Sequence, residues 1–337
     1  MRSLIMKYFL PIIFVLMGVG LTQNVSAAIN NVLSHPPVLV EDADAQQAKF
    51  QLQAGKIVIP YKTFSIFVLP GETVELEVLF PQANTQYELI SNAGDYEKKG
   101  LSAWRWQSPK TSGMYNVCVR ATDGSSEIAL NVFTMTPSDN MVEGKLRYYH
   151  IGHYPDESIT RNREMYIEPE GFIEVTKANQ DVKLSPHFQL KEFVSKQKSE
   201  FPKFVYLQSS LLLKLEKLRT EMNLRNIRVD NMVVMSGYRT PYYNKAIGNV
   251  ALSRHVFGDA ADIFIDNDGN YRMDDLNNDG KSSIADAQLI AEVINELNKR
   301  NDFRSLIGGL GIYGPKPHRG PFIHVDTRGV KARWTSP

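Results

Sequence analysis

The period of the hydrophobic residues changes once along this chain, and that change limits the folds open to it. Between residues 55 and 136 the period is two. Val74, Leu76 and Val78 alternate with Thr73, Glu75 and Glu77, and the same pattern returns at Tyr115, Val117 and Val119 and at Ile128, Leu130 and Val132. Such alternation is the mark of half-buried strands. Pro70-Gly71, Ser112-Gly113 and Asp123-Gly124 punctuate the runs as turns. About seven short strands in ~85 residues predict a small all-β sandwich, with Trp104 or Trp106 filling its core. From Ser185 a helical period enters. Leu211, Leu215, Leu218 and Met222 fall on one stripe of a helix over 207–223, and Ile284, Ala287, Ile290, Ile294 and Leu297 on one stripe of a helix over 283–300. Short apolar runs at Met232–Met235, Ile263–Ile265 and Phe322–Val325 read as strands between and after them. Pro186–Lys196 reads as a further short helix capped by Ser185, with proline at its first position. The chain of 337 residues is therefore expected as a sandwich over 55–136, a polar, Tyr- and Pro-rich connector over 137–184, and an α+β domain over 185–337.

The N-terminus reads as a secretory leader over 1–27. Arg2 and Lys7 precede an apolar run from Phe9 to Leu21, and Val25-Ser26-Ala27 offers a small-residue cleavage site. Thirteen apolar residues are too few for a comfortable bilayer span, which takes about 20. Cleavage would remove Arg2, Lys7 and no acid, taking the net charge from +1 to −1. The expectation is an exported protein, periplasmic or extracellular, with no membrane span left after cleavage and a loose lead-in over 28–54. Near-balanced charge gives no footprint for nucleic acid. A single cysteine, Cys118, rules out a disulfide framework and any multi-cysteine metal site.

The chemistry concentrates in two stretches, Ser253-Arg254-His255-Val256-Phe257-Gly258-Asp259-Ala260-Ala261-Asp262 and Phe322-Ile323-His324-Val325-Asp326. A catalytic zinc needs three protein ligands and one open position, and imidazole with carboxylate suits it. His255 would sit on a loop and Asp262 at the mouth of the next strand, with Gly258, Ala260 and Ala261 keeping the turn between them small. His324 would come from a separate strand, 62 residues beyond Asp262. Singly, each has a plainer explanation: a histidine in an apolar strand is often a satisfied core residue, and an aspartate often a cap.

These stretches, together with Ser236-Gly237-Tyr238-Arg239-Thr240-Pro241 and Gly308-Gly309-Leu310-Gly311-Ile312-Tyr313, resemble the zinc D-alanyl-D-alanine carboxypeptidases. Their superfamily includes VanX-type dipeptidases, phage endolysins and the hedgehog fold. The resemblance covers about 185–337. It implies an α+β zinc peptidase domain of the hedgehog/D-Ala-D-Ala-peptidase-like kind, here preceded by the small, immunoglobulin-like β-sandwich. It implies that His255, Asp262 and His324 ligate zinc, and that the substrate is the peptide stem or cross-link of peptidoglycan. It also implies that Arg239 helps bind substrate or transition state, with a structural ion pair as the alternative. The chain departs from the family at the general base. Relatives carry an acid or histidine two or three residues before the last ligand, where this chain has Phe322 and Pro321. Asp326, on the same strand face as His324, is the first candidate base and His318 the second. The alternative for Asp326 is a supporting role, paired with Arg328. A chain that keeps zinc but lacks a base would instead be a non-catalytic module binding wall peptides or a partner.

A second cation is suggested by Asp275-Leu276-Asn277-Asn278-Asp279-Gly280-Lys281-Ser282-Ser283-Ile284-Ala285-Asp286, which resembles a dockerin-type calcium loop. Asp275, Asn277, Asp279, Ser283 and Asp286 would supply side-chain oxygens, Lys281 its carbonyl, and Gly280 the bend. The plainer alternative is a solvated loop capping the helix that follows. Asp266, Asp268 and Asn270 form a less regular half-site that is not counted. The expected insert spans about 266–286.

Overall fold

The computed structural model describes residues 45–155 and 163–336. The leader-like segment 1–27 and the lead-in up to residue 44 lie outside the described residues. Nine strands build the first region: β1 (Gln47–Ala54), β2 (Ile57–Tyr61), β3 (Thr63–Val68), β4 (Thr73–Leu79), β5 (Tyr87–Ser91), β6 (Asp95–Lys98), β7 (Ala103–Gln107), β8 (Gly113–Ala121) and β9 (Glu127–Thr134). They form a five-stranded sheet in the order β2-β1-β4-β7-β6 and a four-stranded sheet in the order β3-β9-β8-β5. Phe50 of the first sheet meets Tyr87 of the second edge to face at 5.1 Å. In β4, Val74, Leu76 and Val78 are buried and Thr73, Glu75 and Glu77 are exposed, the alternation that half-burial demands. Both Trp104 and Trp106 are buried, not one of them. The Trp106 indole N–H donates to Ser91 Oγ and Ala93 O at 3.1 Å. The sheet begins at Gln47, inside the stretch expected as a lead-in, because Phe50, Leu52 and Ala54 alternate with polar residues and pair with β2 and β4.

The connector is more ordered than its polar composition implies. It holds β10 (Thr136–Pro137), the hairpin of β11 (Lys145–Leu146) and β12 (Tyr149–His150), and β13 (Gly171–Val175). β13 lies between β10 and β14 (Lys203–Val205) in a three-stranded sheet, with Phe172, Ile173 and Val175 fully buried. Next comes α1 (Ser209–Leu224), which buries Leu211, Leu215, Leu218 and Met222 as the stripe predicts. The helix expected over 186–196 is absent. Ser185 Oγ is drawn to Glu216 of α1 at 2.6 Å, and the His187 backbone N–H donates to the same carboxylate at 2.9 Å. That leaves one 3-10 turn, Leu190–Phe193, closed by Gln189 and Glu192.

The second region is centred on β15 (Met232–Ser236), β16 (Ala260–Ile265), β17 (Gly309–Tyr313), β18 (Phe322–Asp326) and β19 (Ala332–Ser336), ordered β15-β16-β18-β17-β19. Between β15 and β16 lies α2 (Pro241–Ala246), and between β16 and β17 lies α3 (Ile284–Leu297). All pairs are antiparallel except β17 with β19. Helices α1 and α3 pack together, and α3 lies against β17 and β18, where Leu310, Ile323 and Val325 are buried. Side chains alternate across a strand, so His324, between Ile323 and Val325, faces the other way. On that other face one row of paired residues crosses the whole sheet: Ser236, Asp262, His324, Gly311, Trp334. Among the described residues no helix is long and apolar enough to cross a membrane.

Candidate metal centre

Asp262 is not at the mouth of its strand as expected. It is the third residue of β16 and pairs with His324 of β18. His255 reaches them from a 3-10 turn, Arg254–Phe257, that ends at Gly258 with φ 68°. A side chain at Gly258 would be strained at that φ, and its Cβ would lie 2.5 Å from the Tyr206 carbonyl oxygen. The glycine therefore lets the turn dock and aims His255 at the sheet. All three side chains are buried. Asp262 Oδ1 lies 3.2 Å from His255 Nε2 and 3.0 Å from His324 Nδ1, and the three atoms sit within 4.8 Å of one another. Tetrahedral zinc with bonds of about 2.0–2.1 Å spaces its ligand atoms ~3.3 Å apart, so the donor set and spacing fit that ion.

The outer nitrogens are also held. His255 Nδ1–H donates to the Gly237 carbonyl at 2.7 Å, which leaves the Nε2 lone pair for the centre. His324 Nε2–H donates to Asp326 Oδ2 at 3.2 Å, which leaves Nδ1. This is how a second ring of partners selects tautomer and orientation in metal sites. Burial pulls the His255 imidazole below its usual pKa, against the pull of Asp262. Burial acts likewise on His324, but hydrogen bonds to Asp262 and Asp326 outweigh it and raise the ring. Burial alone would raise Asp262, yet the two imidazoles hold its carboxyl well below the usual range.

Arg239 donates from Nη2 to Asp262 Oδ2 at 2.7 Å and from Nε to Ser236 Oγ at 2.9 Å. It is thus paired with the second oxygen of a ligand-like carboxylate, the ion-pair alternative among the sequence expectations. The candidate base Asp326 stands in the geometry of its alternative, paired with Arg328. It is fully buried, and its oxygens accept from Gly309 N at 2.7 Å, from Arg328 Nε at 2.9 and 3.0 Å, and from His324. Burial would raise its carboxyl, but His324 and Arg328 hold it far below the usual range. A carboxylate so held orients the His324 ring. His318 is an exposed residue of the turn that bridges Lys316 and Arg319, with no hydrogen bond to the cluster.

Three features of the site were not singled out from sequence. The Trp334 ring lies 5.2 Å from the His324 ring and donates its N–H to Tyr313 O–H at 2.8 Å. Gly311 makes room for it, since a Cβ there would meet the indole nitrogen at 2.3 Å. Tyr313 and Phe322 stack at 4.5 Å, and the Arg319 guanidinium covers Phe322 at 4.5 Å. The period-two spacing of Phe322 and His324 was the available signal for the first ring.

The residues of the expected calcium loop lie together before and at the start of α3. Asp286 is buried at the start of α3, where it accepts from Ser283 N, Leu276 N and Asn277 N. Asp275 accepts from Asp279 N and Gly280 N, Asn277 Oδ1 from Asp279 N, and Asp279 from Lys281 N. Ser283 Oγ caps Ala285 N. These oxygens accept from the loop's own amides, as the helix-capping alternative expects, and a carboxylate has lone pairs beyond those such bonds use, so the bonds neither meet nor overturn the calcium expectation. The described carboxylates that do gather here are Asp266, Asp268 and Asp274, a different set.

Residues 186–284 match the family model of peptidase M15. His324 lies beyond the matched segment. No curated protein matches the chain. Among solved structures, the crystal structure of domains 4 and 5 of the S-layer protein SbsC is similar at 9% identity and a TM-score of 0.18, over 25% of this chain and 53% of that one. At that score the likeness carries no argument, and it spans about half of that structure. The family match is of another kind, since it covers the motif through Arg239, the turn of His255 and the strand of Asp262. On that match, residues 186–284 are similar to peptidase M15, a family of metallopeptidases.

Proposed function

We propose that this chain is an exported zinc metallopeptidase that hydrolyses peptide bonds in the stems or cross-links of peptidoglycan. The observation that carries the reading is the convergence of His255 Nε2, Asp262 Oδ1 and His324 Nδ1 on one point. Those three atoms would hold the ion, and its chemistry when bound is to polarise the scissile carbonyl and activate water. The chain's own residues do the rest. Gly237 O and Asp326 keep the two imidazoles in the ligating tautomer. Arg239 holds Asp262 through its second oxygen. The Trp334 ring packs on the His324 ring and is held there by its bond to Tyr313. The leader-like N-terminus is the support for export.

A second reading has an observation of its own. Among the described residues, no carboxylate other than Asp262 and Asp326 is hydrogen-bonded to the cluster, and Asp326 is occupied. That favours a zinc-bearing module that binds wall peptides without cutting them. Purified protein on isolated sacculi, with products read by mass spectrometry, separates the two. Release of peptides that stops with a chelator and returns with zinc supports the peptidase. Sacculus binding with no product supports the module. In either case His255→Ala is expected to lose bound zinc, and to lose any product release with it.

A further inference from the structure

Arg239, the guanidinium that the family resemblance marks for substrate, is tied to Asp262. A second guanidinium stands nearby on the hairpin between β17 and β18. Lys316 and Arg319 bond to each other through both backbone groups at the hairpin tip. The Arg319 side chain turns back over the strand. Its Cζ lies 4.5 Å from the Phe322 ring centroid and 6.0 Å from that of Tyr313. Nη1 donates to Gly314 O at 2.8 Å and Gly320 O at 3.2 Å. Nε and Nη2 have no partner among the described residues. Arg319 is therefore fixed by stacking and by two carbonyls, with one edge of its fork unused.

The place of that edge matters. Phe322 and His324 project from the same face of β18 two residues apart, roughly 6.6–7 Å along the strand. A peptide whose scissile carbonyl sits beside His324 would put its next residue about one residue length, ~3.5 Å, further on. A carboxylate there comes within hydrogen-bond reach of a guanidinium held over Phe322. The charge balance agrees. One carboxylate among the ligands leaves a divalent ion in excess, and Arg239 already offsets that carboxylate. The ammonium of Lys196 is close enough to Arg239 and Asp262 to be influenced by both. With Asp326 and Arg328 neutralising each other, the loaded site is cationic.

We propose that Arg319, stacked on Phe322, is a specificity-determining residue that receives a carboxylate carried by the substrate one residue beyond the scissile bond. This rests on the peptidase reading and sharpens it, because an amide or a continuing chain at that place leaves the fork unmatched. The carboxylate has two sources, the C-terminus of a peptide or the side chain of an acidic residue within one. Arginine suits either, since its planar fork pairs with both carboxylate oxygens.

The test is binding by calorimetry to the full-length protein, zinc-free and zinc-loaded. The probes are N-acetyl-D-Ala-D-Ala, its C-terminal amide, and N-acetyl-D-Ala-D-Asp amide, which carries only a side-chain carboxylate. At least one acid is expected to bind on the order of 10- to 100-fold tighter than the neutral amide. Which acid it is tells the terminal from the side-chain source. Arg319→Gln is expected to erase the preference and Arg319→Lys to keep part of it. Equal binding of acids and amide by the wild type, no binding of any probe, or a preference that survives Arg319→Gln would each overturn the assignment. Peptide release from sacculi without acid preference would sink this inference alone. An Arg319-dependent preference on intact, uncut sacculi would sink the peptidase reading and leave Arg319 standing.

Discussion

The aspartate next to the last histidine decides how the centre is built. Strand period two brings Asp326 to the face of His324, and from sequence that placement is compatible with a base or with a support. The structure separates the two by what else touches it. Arg328, Gly309 N and His324 occupy both oxygens, and Gly309 has no side chain because a Cβ there would lie 2.3 Å from Asp326 Oδ2. Asp326→Asn keeps the shape, leaves Arg328 without its counter-charge and weakens the grip on the His324 tautomer. It is expected to lower zinc affinity roughly 10- to 100-fold, the usual effect of losing such a partner. Competition against a chelating dye measures this. Unchanged zinc affinity with abolished turnover would return Asp326 to the role of base. His255, Asp262 and His324 were legible because their two stretches together resemble a known ligand set, although singly each had a plainer explanation. Arg319 was not, because a hairpin tip of Pro, Gly and Lys has no hydrophobic period to say which way a side chain turns.

At the scale of elements, α1 holds the site from behind. Lys214 is fully buried on this helix, and its ammonium donates to Leu306 O at 3.0 Å and to Asp326 O at 2.7 Å. It ties the end of β18 to the segment before β17. Helix α1 itself was readable from its Leu stripe, but a lysine inside that stripe would ordinarily be placed in solvent, so the clamp was not readable. The absent helix over 186–196 has the same origin. Ser185 and Pro186 carry good start signals, yet Glu216 of α1 takes the Ser185 hydroxyl and the His187 backbone, and Phe188, Leu190 and Phe193 bury themselves at a spacing no helix offers. Lys214 also makes a pH prediction. Burial pushes its ammonium down to about 8, against the opposing charge of Asp326. Unfolded, a lysine keeps its proton to about 10.4, so between those two values the unfolded chain binds more protons and stability rises with pH. This contribution is absent below pH 8 and complete above about 10.5, and is worth up to about 3 kcal/mol. Lys214→Met lacks it. Denaturant titrations from pH 7 to 10.5 should therefore show the wild type gaining on Lys214→Met as pH rises, and a constant gap would refute the linkage.

At the scale of the molecule, the two regions are joined by a shared seam and by the connector. Ser209 Oγ of α1 donates to Ser65 O of β3 at 3.2 Å, and Asn131 Nδ2 of β9 donates to Lys183 O at 2.9 Å. A cavity of about 660 Å³ runs along that seam, with Phe67 and Met135 on one side and Tyr206 and Phe257 on the other. The connector does more than span the distance. β13 is bonded on both edges, and Phe172 packs on Tyr206 and Tyr238 with ring centroids 6.4 Å away. Tyr238 lies between Gly237, whose carbonyl fixes His255, and Arg239, which fixes Asp262. Support for the candidate metal centre therefore starts before residue 185, the boundary that the change of hydrophobic period marks. Removing β13 exposes the places of Phe172, Ile173 and Val175, each worth about 1.5–3 kcal/mol when buried. Three such losses approach the whole stability of an ordinary domain, about 5–15 kcal/mol. A chain starting at Ser185 is expected not to fold or hold zinc, whereas one starting at Met135 keeps β10, β13 and β14 together and should do both, with lower stability than the full chain. Near-UV circular dichroism and zinc stoichiometry of the two truncations decide the matter. Full zinc occupancy in the shorter chain would show that the second region carries its own support and that the connector is only a tether.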